Sequence, residues 1–228
     1  MDLTLLILTL APPILIVLYF ARSDKFPEPN KIIYLTFFLG ILTIIPIAIL
    51  NNIFIFSVHT NVEDFLLNTY KAGPIEESFK FLVLYLFILK RKEFNEPMDG
   101  LVYGTCASLG FATWENMEYI YFPFIEAPFG PYFLVFLRMF TTIPMHAVCG
   151  IIMGFYFGLY VFRKKQNFLL YSLAVPIIFH SLFNFFTARN PVICILILFI
   201  GIIYALKLFK KLVSMQKNKK TEAEKKLI

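Results

Sequence analysis

The sequence carries few charged residues, and this scarcity excludes an ordinary soluble domain. Only 16% of its 228 residues are charged, whereas 59% are hydrophobic. Soluble domains usually carry about 25% charged residues. Several apolar runs approach or exceed the roughly 20 residues that a helix needs to cross a bilayer. The composition therefore predicts a single all-α domain, a polytopic bundle of transmembrane helices.

Cysteine is scarce as well, and its placement argues against disulfides. The three cysteines, Cys106, Cys149 and Cys194, all lie inside apolar runs. An odd number without a loop framework is not typical of a disulfide-bonded protein. The first run, MDLTLLILTLAPPILIVLYFAR, lacks a basic amino-terminal region and a small-residue cleavage site. It is therefore predicted to be a first span and not a signal peptide.

The apolar runs predict about seven spans. The fifth is long enough to tilt, to break or to begin in the interface. A short polar segment, 61–72, is predicted to be an interfacial helix that leads into the third span. The transmembrane domain then covers 1–213, and a basic cytoplasmic tail covers 214–228. The predicted spans are 3–21, 32–56, 73–90, 99–120, 132–162, 168–187 and 191–212.

The loop charges predict that the amino terminus is outside and the carboxyl terminus inside. This arrangement places most of the 21 Lys and Arg residues in cytoplasmic segments, as the positive-inside rule requires. These segments are 22–31, 90–92, 163–165 and the tail from 207 onward. Because the net charge of +6 comes from span ends and the tail, it does not indicate nucleic-acid binding. Membrane lipids are the expected contact of these basic residues.

With this orientation, polar groups from four spans fall in the outer leaflet. A charge at bilayer depth costs roughly 2.5–3.5 kcal/mol, so these groups are expected to face a wet cavity, to pair or to take up a proton. Lys80 follows Glu76 by four residues, which places both side chains on one helix face. The set comprises Glu76, Glu77, Lys80, Glu115, Arg138, His146, His180 and Asn184.

Each motif also has a purely structural interpretation. Acidic residues in a first turn stabilise the positive end of a helix dipole. His146 is equally compatible with a hydrogen-bonded structural role. His180 and Asn184, one turn apart, could hold an oxyanion or form an interhelical hydrogen bond. Glu118 is predicted to be solvated. The glycines 150, 154 and 158 are predicted to allow close helix packing.

Several membrane-protein chemistries can be ruled out from the residues that are missing. A two-aspartate protease is excluded because Asp99 is the only aspartate in a span, at its inner edge. Ser108 and Ser181 do not lie in a Gly-x-Ser loop, and no His-Glu-x-x-His motif occurs. A carboxylate base acting on water remains, and a zinc site built from histidines and a carboxylate stays open. One alternative is a proton- or cation-coupled carrier, although no inverted repeat supports it. Another is a non-enzymatic immunity or scaffold protein in which the polar cluster only binds a substrate.

The combined motifs resemble one family. Glu76-Glu77-x-x-Lys80, Phe111-x-x-x-Glu115, His146 and His180-x-x-x-Asn184 are similar to the motifs of the PrsW family of bacterial membrane proteases. That family is related to the CAAX-prenyl endopeptidase and bacteriocin-processing superfamily. The likeness extends over about 70–187 and includes the segments MDGLVYG and GFATWEN.

The resemblance implies a function. Such proteins lie in the bacterial cell membrane and make the first, extracytoplasmic-side cut in a single-pass anti-sigma factor. A second intramembrane protease and cytosolic proteolysis then release the sigma factor. The expected partner is therefore an anti-sigma factor as substrate, with no nucleic acid. No cofactor is assigned, and a metal requirement, as in a metal-dependent protease of the same family, stays open.

The resemblance also implies roles for the site residues. Glu76 would be the base, with Glu77 nearby, although either could carry the working proton. His180 and Asn184 would form the oxyanion hole. Glu115 stands where the prenyl-protein endopeptidases have a histidine, so its role is open: it could share a proton with Glu76 while His146 positions the water. Lys80, Phe111 and Arg138 are expected to support the site.

Overall fold

The computed structural model describes residues 2–55, 71–122, 129–187 and 189–225. Throughout these ranges the regular structure is helical, which confirms the predicted all-α bundle. The predicted interfacial helix at 61–72 falls almost entirely outside the described residues.

The helices are numbered in chain order. The fourth, α4, is built from three consecutive segments, of which the first and third have π-helical hydrogen bonding. Its segments are Lys71–Glu76, Glu77–Val83 and Leu84–Ile88. The others are α1 (Leu3–Ser23), α2 (Asn30–Leu42), α3 (Ile44–Ile55), α5 (Pro97–Tyr121), α6 (Gly130–Phe140), α7 (Thr142–Arg163), α8 (Gln166–Thr187) and α9 (Pro191–Lys225).

Each of the seven predicted spans overlaps a helix, and five of them meet the length and hydropathy of a membrane span. Within the described ranges, five stretches are long and apolar enough to cross a membrane: Leu3–Ser23, Asn30–Leu50, Gly130–Arg163, Gln166–Thr187 and Pro191–Asn218. The remaining two predicted spans correspond to α4 and α5, which pack inside the same bundle. The long fifth span is broken at Thr141, and the second is interrupted at Thr43. The last helix continues into the predicted tail.

The centre of the bundle is the contact between α5 and α7, and glycines allow it. A Cβ added at Gly154 would lie 2.0 Å from the carbonyl oxygen of Gly100, and one at Gly104 would lie 2.5 Å from that of Gly150. Because backbone meets backbone here, larger side chains cannot fit. The predicted role of the glycine stripe in packing is confirmed. Hydrophobic side chains such as Leu101 and Ile152 are completely buried beside it.

The outer helices cover this centre and present apolar side chains to their surroundings. Ile14 of α1, Phe38 of α2, Ile178 of α8 and Phe199 of α9 are all exposed. In a soluble protein such surfaces would indicate partners, but on transmembrane helices they are lipid-facing.

Candidate functional site

Lys80 is at the centre of a buried polar cluster at the end of the bundle predicted to face outward. Its side chain is completely buried, and its ammonium lies 2.7 Å from Glu77 Oε1 and 3.2 Å from His146 Nδ1. Glu76 Oε2 is farther away, at 3.6 Å. The ammonium also lies 4.1 Å from the centre of the Phe111 ring, a cation–π contact. Lys80 thus joins α4, α5 and α7.

Within α4, Lys80 pairs more closely with Glu77 than with Glu76. The expectation from i,i+4 spacing was that Glu76 would be the partner. Glu76 ends the π-helical segment and Glu77 begins the regular turn. In that turn, the i,i+3 position of Glu77 brings its carboxylate to 2.7 Å from the ammonium. The two adjacent glutamates therefore face different surroundings.

Glu77 also binds His180 of α8. Glu77 Oε1 lies 2.7 Å from His180 Nδ1, and both side chains are nearly or completely buried. Since a carboxylate only accepts, His180 Nδ1 must donate the hydrogen bond. This contact fixes the ring and directs Nε2 towards Glu76, whose Oε2 is 3.9 Å away.

Glu115 of α5 is held by two partners. Its Oε2 lies 2.7 Å from Arg138 Nη2 of α6 and 3.0 Å from His146 Nε2 of α7. The ammonium of Lys80 is a donor only, so His146 Nδ1 accepts from it and Nε2 donates to Glu115. Both nitrogens of His146 are therefore engaged, and the ring bridges Lys80 and Glu115.

Glu76 differs from the other two glutamates. Its side chain is 13% exposed, whereas that of Glu77 is fully buried. Glu76 Oε2 is buried but accepts no hydrogen bond from the described residues. An unpaired buried carboxylate oxygen is costly, so such an atom is expected to have a chemical role. Glu77 Oε2 is also without a donor, but Glu77 Oε1 is held by Lys80 and His180, whereas Glu76 makes only the longer contacts, at 3.6 Å to Lys80 and 3.9 Å to His180.

A second layer of contacts was not predicted from the sequence. Arg138 Nε donates to Asn116 Oδ1 at 2.6 Å, and Asn116 Nδ2 donates to the carbonyl of Thr9 at 3.3 Å. The guanidinium of Arg138 also lies 4.1 Å from the centre of the Tyr119 ring. These contacts connect α1, α5 and α6 behind Glu115. The only sequence signal was that Asn116 directly follows Glu115.

Asn184 and Glu118 are at the margin of the cluster. Asn184 is half-buried on α8, one turn beyond His180. Its side chain makes no hydrogen bond with the described part of the chain. Glu118 is half-buried on α5, one turn beyond Glu115 and near the helix end. It is therefore less accessible than the solvated position predicted for it, because the end of α5 packs against its neighbours.

The cluster lies below the end of the bundle that is predicted to face outward. Glu115 is six residues from Tyr121, where α5 ends, which is about 9 Å along a helix axis. At the other end of the bundle, the basic segments flank the start of α5 and the end of α7. The cluster is therefore at the end of the bundle opposite the basic segments, and the loop charges predict that this end faces outward.

Three side chains of the cluster could together bind a metal ion. One atom from each of Glu77, His146 and His180 lies within 4.8 Å of the other two. Two imidazoles and a carboxylate are a ligand set that catalytic zinc uses. The buried Glu77 Oε2 has no hydrogen-bond partner in the described structure and could serve as a ligand atom. The donor set therefore fits a metal, although Lys80 contacts two of its three members.

Comparison with known proteins agrees with these observations. The profile of the "PrsW family intramembrane metalloprotease" matches residues 28–208. "Protease PrsW" of Clostridioides difficile (strain 630) is 32% identical over 230 residues, covering 96% of this chain and 95% of the relative. The protein of the same name in Bacillus subtilis (strain 168) is 32% identical over 180 residues, with 77% and 79% covered. That in Halalkalibacterium halodurans is 30% identical over 187 residues, with 79% and 82% covered.

No solved structure matches the chain. The match covers most of the sequence and includes every residue of the buried cluster. This multi-pass bacterial membrane protein therefore belongs to the PrsW family of intramembrane metalloproteases.

Proposed function

We propose that this membrane protease is an endopeptidase that uses Glu76 as its general base and makes the first, extracytoplasmic-side cut in a single-pass anti-sigma factor. The observation that carries the proposal is the contrast among the three glutamates. Glu77 and Glu115 are each held by two partners at 3.0 Å or less, whereas Glu76 is partly exposed and makes only the longer contacts, at 3.6 Å to Lys80 and 3.9 Å to His180. A base must have a free lone pair for the proton that it removes.

The space between Glu76 and His180 is where water would be activated. Glu76 Oε2 and His180 Nε2 are 3.9 Å apart, which is too long for a direct hydrogen bond and suits a bridging water. Glu76 takes one proton from this water, and the water oxygen attacks the scissile carbonyl carbon. Glu76 then returns the proton to the leaving amine nitrogen as the peptide bond breaks.

His180 and Asn184 are placed to stabilise the tetrahedral intermediate. Glu77 holds His180 Nδ1, so an imidazolium at this position can donate from Nε2 to the oxyanion. The amide of Asn184 lies one turn farther along α8 and supplies a second donor. Removal of one such donor typically costs about 10²–10³ in kcat.

The remaining residues hold this arrangement. Lys80 compensates the charge of Glu77 and positions His146, and Arg138 compensates the charge of Glu115. Phe111 packs against both Lys80 and His146, so its ring limits the access of water to the faces of these two side chains that it covers. In this proposal Glu115 and His146 are positioning residues, and Glu76 does not share its proton with Glu115.

A metal ion, if required, would be held by Glu77, His146 and His180. It would act as a Lewis acid towards the scissile carbonyl and the attacking water. The side chain of Lys80 would have to withdraw from Glu77 and His146, because its ammonium contacts both donors. Glu76 is outside this ligand set and remains the base in either version of the proposal.

The depth of the site indicates where a substrate is cut. The cluster is about 9 Å below the outer end of α5, so the scissile bond of a single-pass substrate would lie near the outer boundary of its transmembrane segment. An anti-sigma factor with one span meets this requirement, and the family relationship supports it as the substrate.

Co-expression with a tagged single-pass anti-sigma factor tests the proposal. The wild-type protein should produce a shorter tagged fragment, and Glu76→Gln and His180→Ala should abolish it. Glu118→Gln is the matched control, because it removes a carboxylate from the same end of α5 without touching the cluster, and it should retain cleavage. Persistence of the fragment in Glu76→Gln would overturn the assignment of the base. If the protein cleaves other single-pass proteins but not the anti-sigma factor, the assignment of the substrate is wrong.

The metal question has its own test. The purified protein is treated with a strong chelator, and cleavage is measured before and after addition of Zn²⁺, Mg²⁺ or Ca²⁺. Loss of cleavage that Zn²⁺ restores and that Mg²⁺ and Ca²⁺ do not restore would support an ion on Glu77, His146 and His180, because the carboxylates at the other end of the bundle suit the harder ions. Unchanged cleavage by a protein shown to contain no metal would leave Lys80 as the cation of the site.

A further inference from the structure

A second group of buried carboxylates lies at the opposite, cytoplasmic end of the bundle. Asp24 and Glu28 are in the connection between α1 and α2, and Asp99 is in the first turn of α5. Their exposed fractions are 6%, 7% and 0%. One carboxylate oxygen from each lies within 4.8 Å of the other two. None of these residues takes part in the proposed proteolysis.

Two of these carboxylates are held in orientation by hydrogen bonds that one oxygen of each accepts. Asp99 Oδ2 accepts the backbone N–H groups of Asn95 and Glu96 at 2.7 and 2.8 Å. Asp24 Oδ1 accepts the backbone N–H of Phe26 at 2.9 Å and the side-chain amide of Gln216 at 2.7 Å. The other oxygens, Asp24 Oδ2 and Asp99 Oδ1, are buried and accept no hydrogen bond from the described residues.

Nothing cationic in the described structure compensates these charges. Within the described ranges, no Lys or Arg nitrogen lies within 4.0 Å of a carboxylate oxygen of Asp24, Glu28 or Asp99. Glu28 accepts the hydroxyl hydrogen of Tyr103. Buried carboxylates normally pair with a cation, bind a metal or take up a proton. Two fixed, unpaired oxygens beside a third carboxylate are an arrangement that suits a positive ion.

We propose that Asp24, Glu28 and Asp99 bind a hard divalent cation, Mg²⁺ or Ca²⁺, at the cytoplasmic end of the bundle. Both ions prefer carboxylate oxygens, and both complete their coordination with water. The ion would fasten the α1–α2 connection to the start of α5. The site also gives a role to two residues of the MDGLVYG segment, Asp99 as ligand and Tyr103 as the donor that orients Glu28.

Binding of Mn²⁺, followed by electron paramagnetic resonance, tests the proposal. Mn²⁺ is an oxygen-preferring probe for Mg²⁺ and Ca²⁺ sites. The experiment uses the full-length protein with the substitution His180→Ala. This removes one of the three candidate metal ligands of the outer cluster, so that binding there is weakened. We expect one Mn²⁺ per chain, displaced by Mg²⁺ or by Ca²⁺, and the more effective of the two identifies the ion. Asp24→Asn with Asp99→Asn should weaken binding by about tenfold or more, as loss of metal-site residues does.

Glu93→Gln is the control, because it removes one charge from the same end of the molecule outside the three-carboxylate set. It should change the affinity by less than about twofold. If the double variant does not fold, Glu28→Gln replaces it. Two results would overturn the proposal. One is the absence of Mn²⁺ binding at millimolar concentration. The other is equal binding in the control and ligand variants, which would assign the ion elsewhere.

A melting experiment on the wild-type protein separates a cation from a shared proton. Addition of millimolar Mg²⁺ or Ca²⁺, at ionic strength matched with K⁺, should raise Tm by several degrees, because an ion that binds only the folded state stabilises it. An unchanged Tm would indicate that the carboxylates are neutralised by protons, contrary to the proposal. Neither result depends on whether the protein cleaves an anti-sigma factor.

Discussion

Glu76 and Glu77 are adjacent in the chain, yet their side chains have different surroundings. Glu77 is completely buried between Lys80 and His180. Glu76 is partly exposed, and its contacts with the same two residues are longer, at 3.6 and 3.9 Å. We infer that Glu77 maintains the structure of the site and that Glu76 performs the proton transfer.

This difference predicts a separation of stability from activity. Glu77→Gln removes the carboxylate that compensates a fully buried ammonium. Breaking a buried ion pair in this way typically costs about 3–5 kcal/mol. We therefore expect the Tm of Glu77→Gln, measured in detergent by intrinsic fluorescence, to fall by several degrees. Glu76→Gln should change the Tm little, because Lys80 keeps its 2.7 Å contact with Glu77. A larger loss of Tm in Glu76→Gln would reverse the two roles.

The cluster residues were predictable from sequence, but their pairing was not. Hydropathy and loop charges place Glu76, Glu115, His146 and His180 at one depth, and the structure brings them together. Which carboxylate meets which base depends on the helical turn at residues 71–76 and on the rotation of each helix. Those are tertiary properties, so the contact of Lys80 with His146 was not foreseen.

Helix α4 approaches α8 closely because residue 73 has no side chain. A Cβ at Gly73 would lie 1.7 Å from Ser181 Oγ and 2.9 Å from the carbonyl oxygen of Ile177. This close approach places Glu77 within 2.7 Å of His180. The geometry of the site therefore depends on the packing of these two helices.

Gly73→Ala should consequently impair cleavage. The added methyl group pushes α4 from α8 and lengthens the contact between Glu77 and His180, and a displacement of about 1 Å can cost 10²-fold in rate. Adding Ser181→Ala removes the nearest atom and should restore part of the activity in the tagged-fragment assay. Full activity of Gly73→Ala alone would show that the site tolerates movement of α4.

The glycine contact between α5 and α7 predicts a stability effect. In Gly154→Ala, the new Cβ meets the backbone carbonyl of Gly100 at 2.0 Å, which cannot be relieved by a side-chain rotation. We expect a loss at the upper end of the range for overpacking, about 3 kcal/mol. It should be visible as a lower Tm or reduced yield of folded protein. Gly201→Ala is the control, because its Cβ would first meet a side-chain atom of Val148 at 3.0 Å, and it should be nearly neutral.

The helices themselves were largely predictable, because spans are long apolar segments. The predicted span 191–212, for example, begins at the residue where α9 begins. The π-helical segments of α4 and the break at Thr141 were not located from the sequence, although Pro74 lies inside the first of these segments. Asp24 and Glu28 are close in the chain, but Asp99 is far from both, and the sequence showed no pattern that joins the three carboxylates.

At the scale of the whole molecule, the orientation can be tested by labelling. Phe122 follows α5 at the site end, and Lys164 follows α7 at the opposite end. Both are exposed. The loop charges predict that a membrane-impermeant thiol reagent labels Phe122→Cys in intact cells and Lys164→Cys only after lysis. The native cysteines are buried and should react little. The opposite labelling pattern would place the site on the cytoplasmic side.

The rate of substrate cleavage by Glu76→Gln is the most direct test of the account. Wild-type protein and variants are reconstituted into vesicles with a single-pass anti-sigma factor, and initial rates are compared at equal amounts of folded enzyme. Loss of a general base predicts a decrease of about 10²–10⁴-fold, with Glu118→Gln close to the wild-type rate. A Glu76→Gln protein that cleaves within about threefold of the wild-type rate would contradict the central claim.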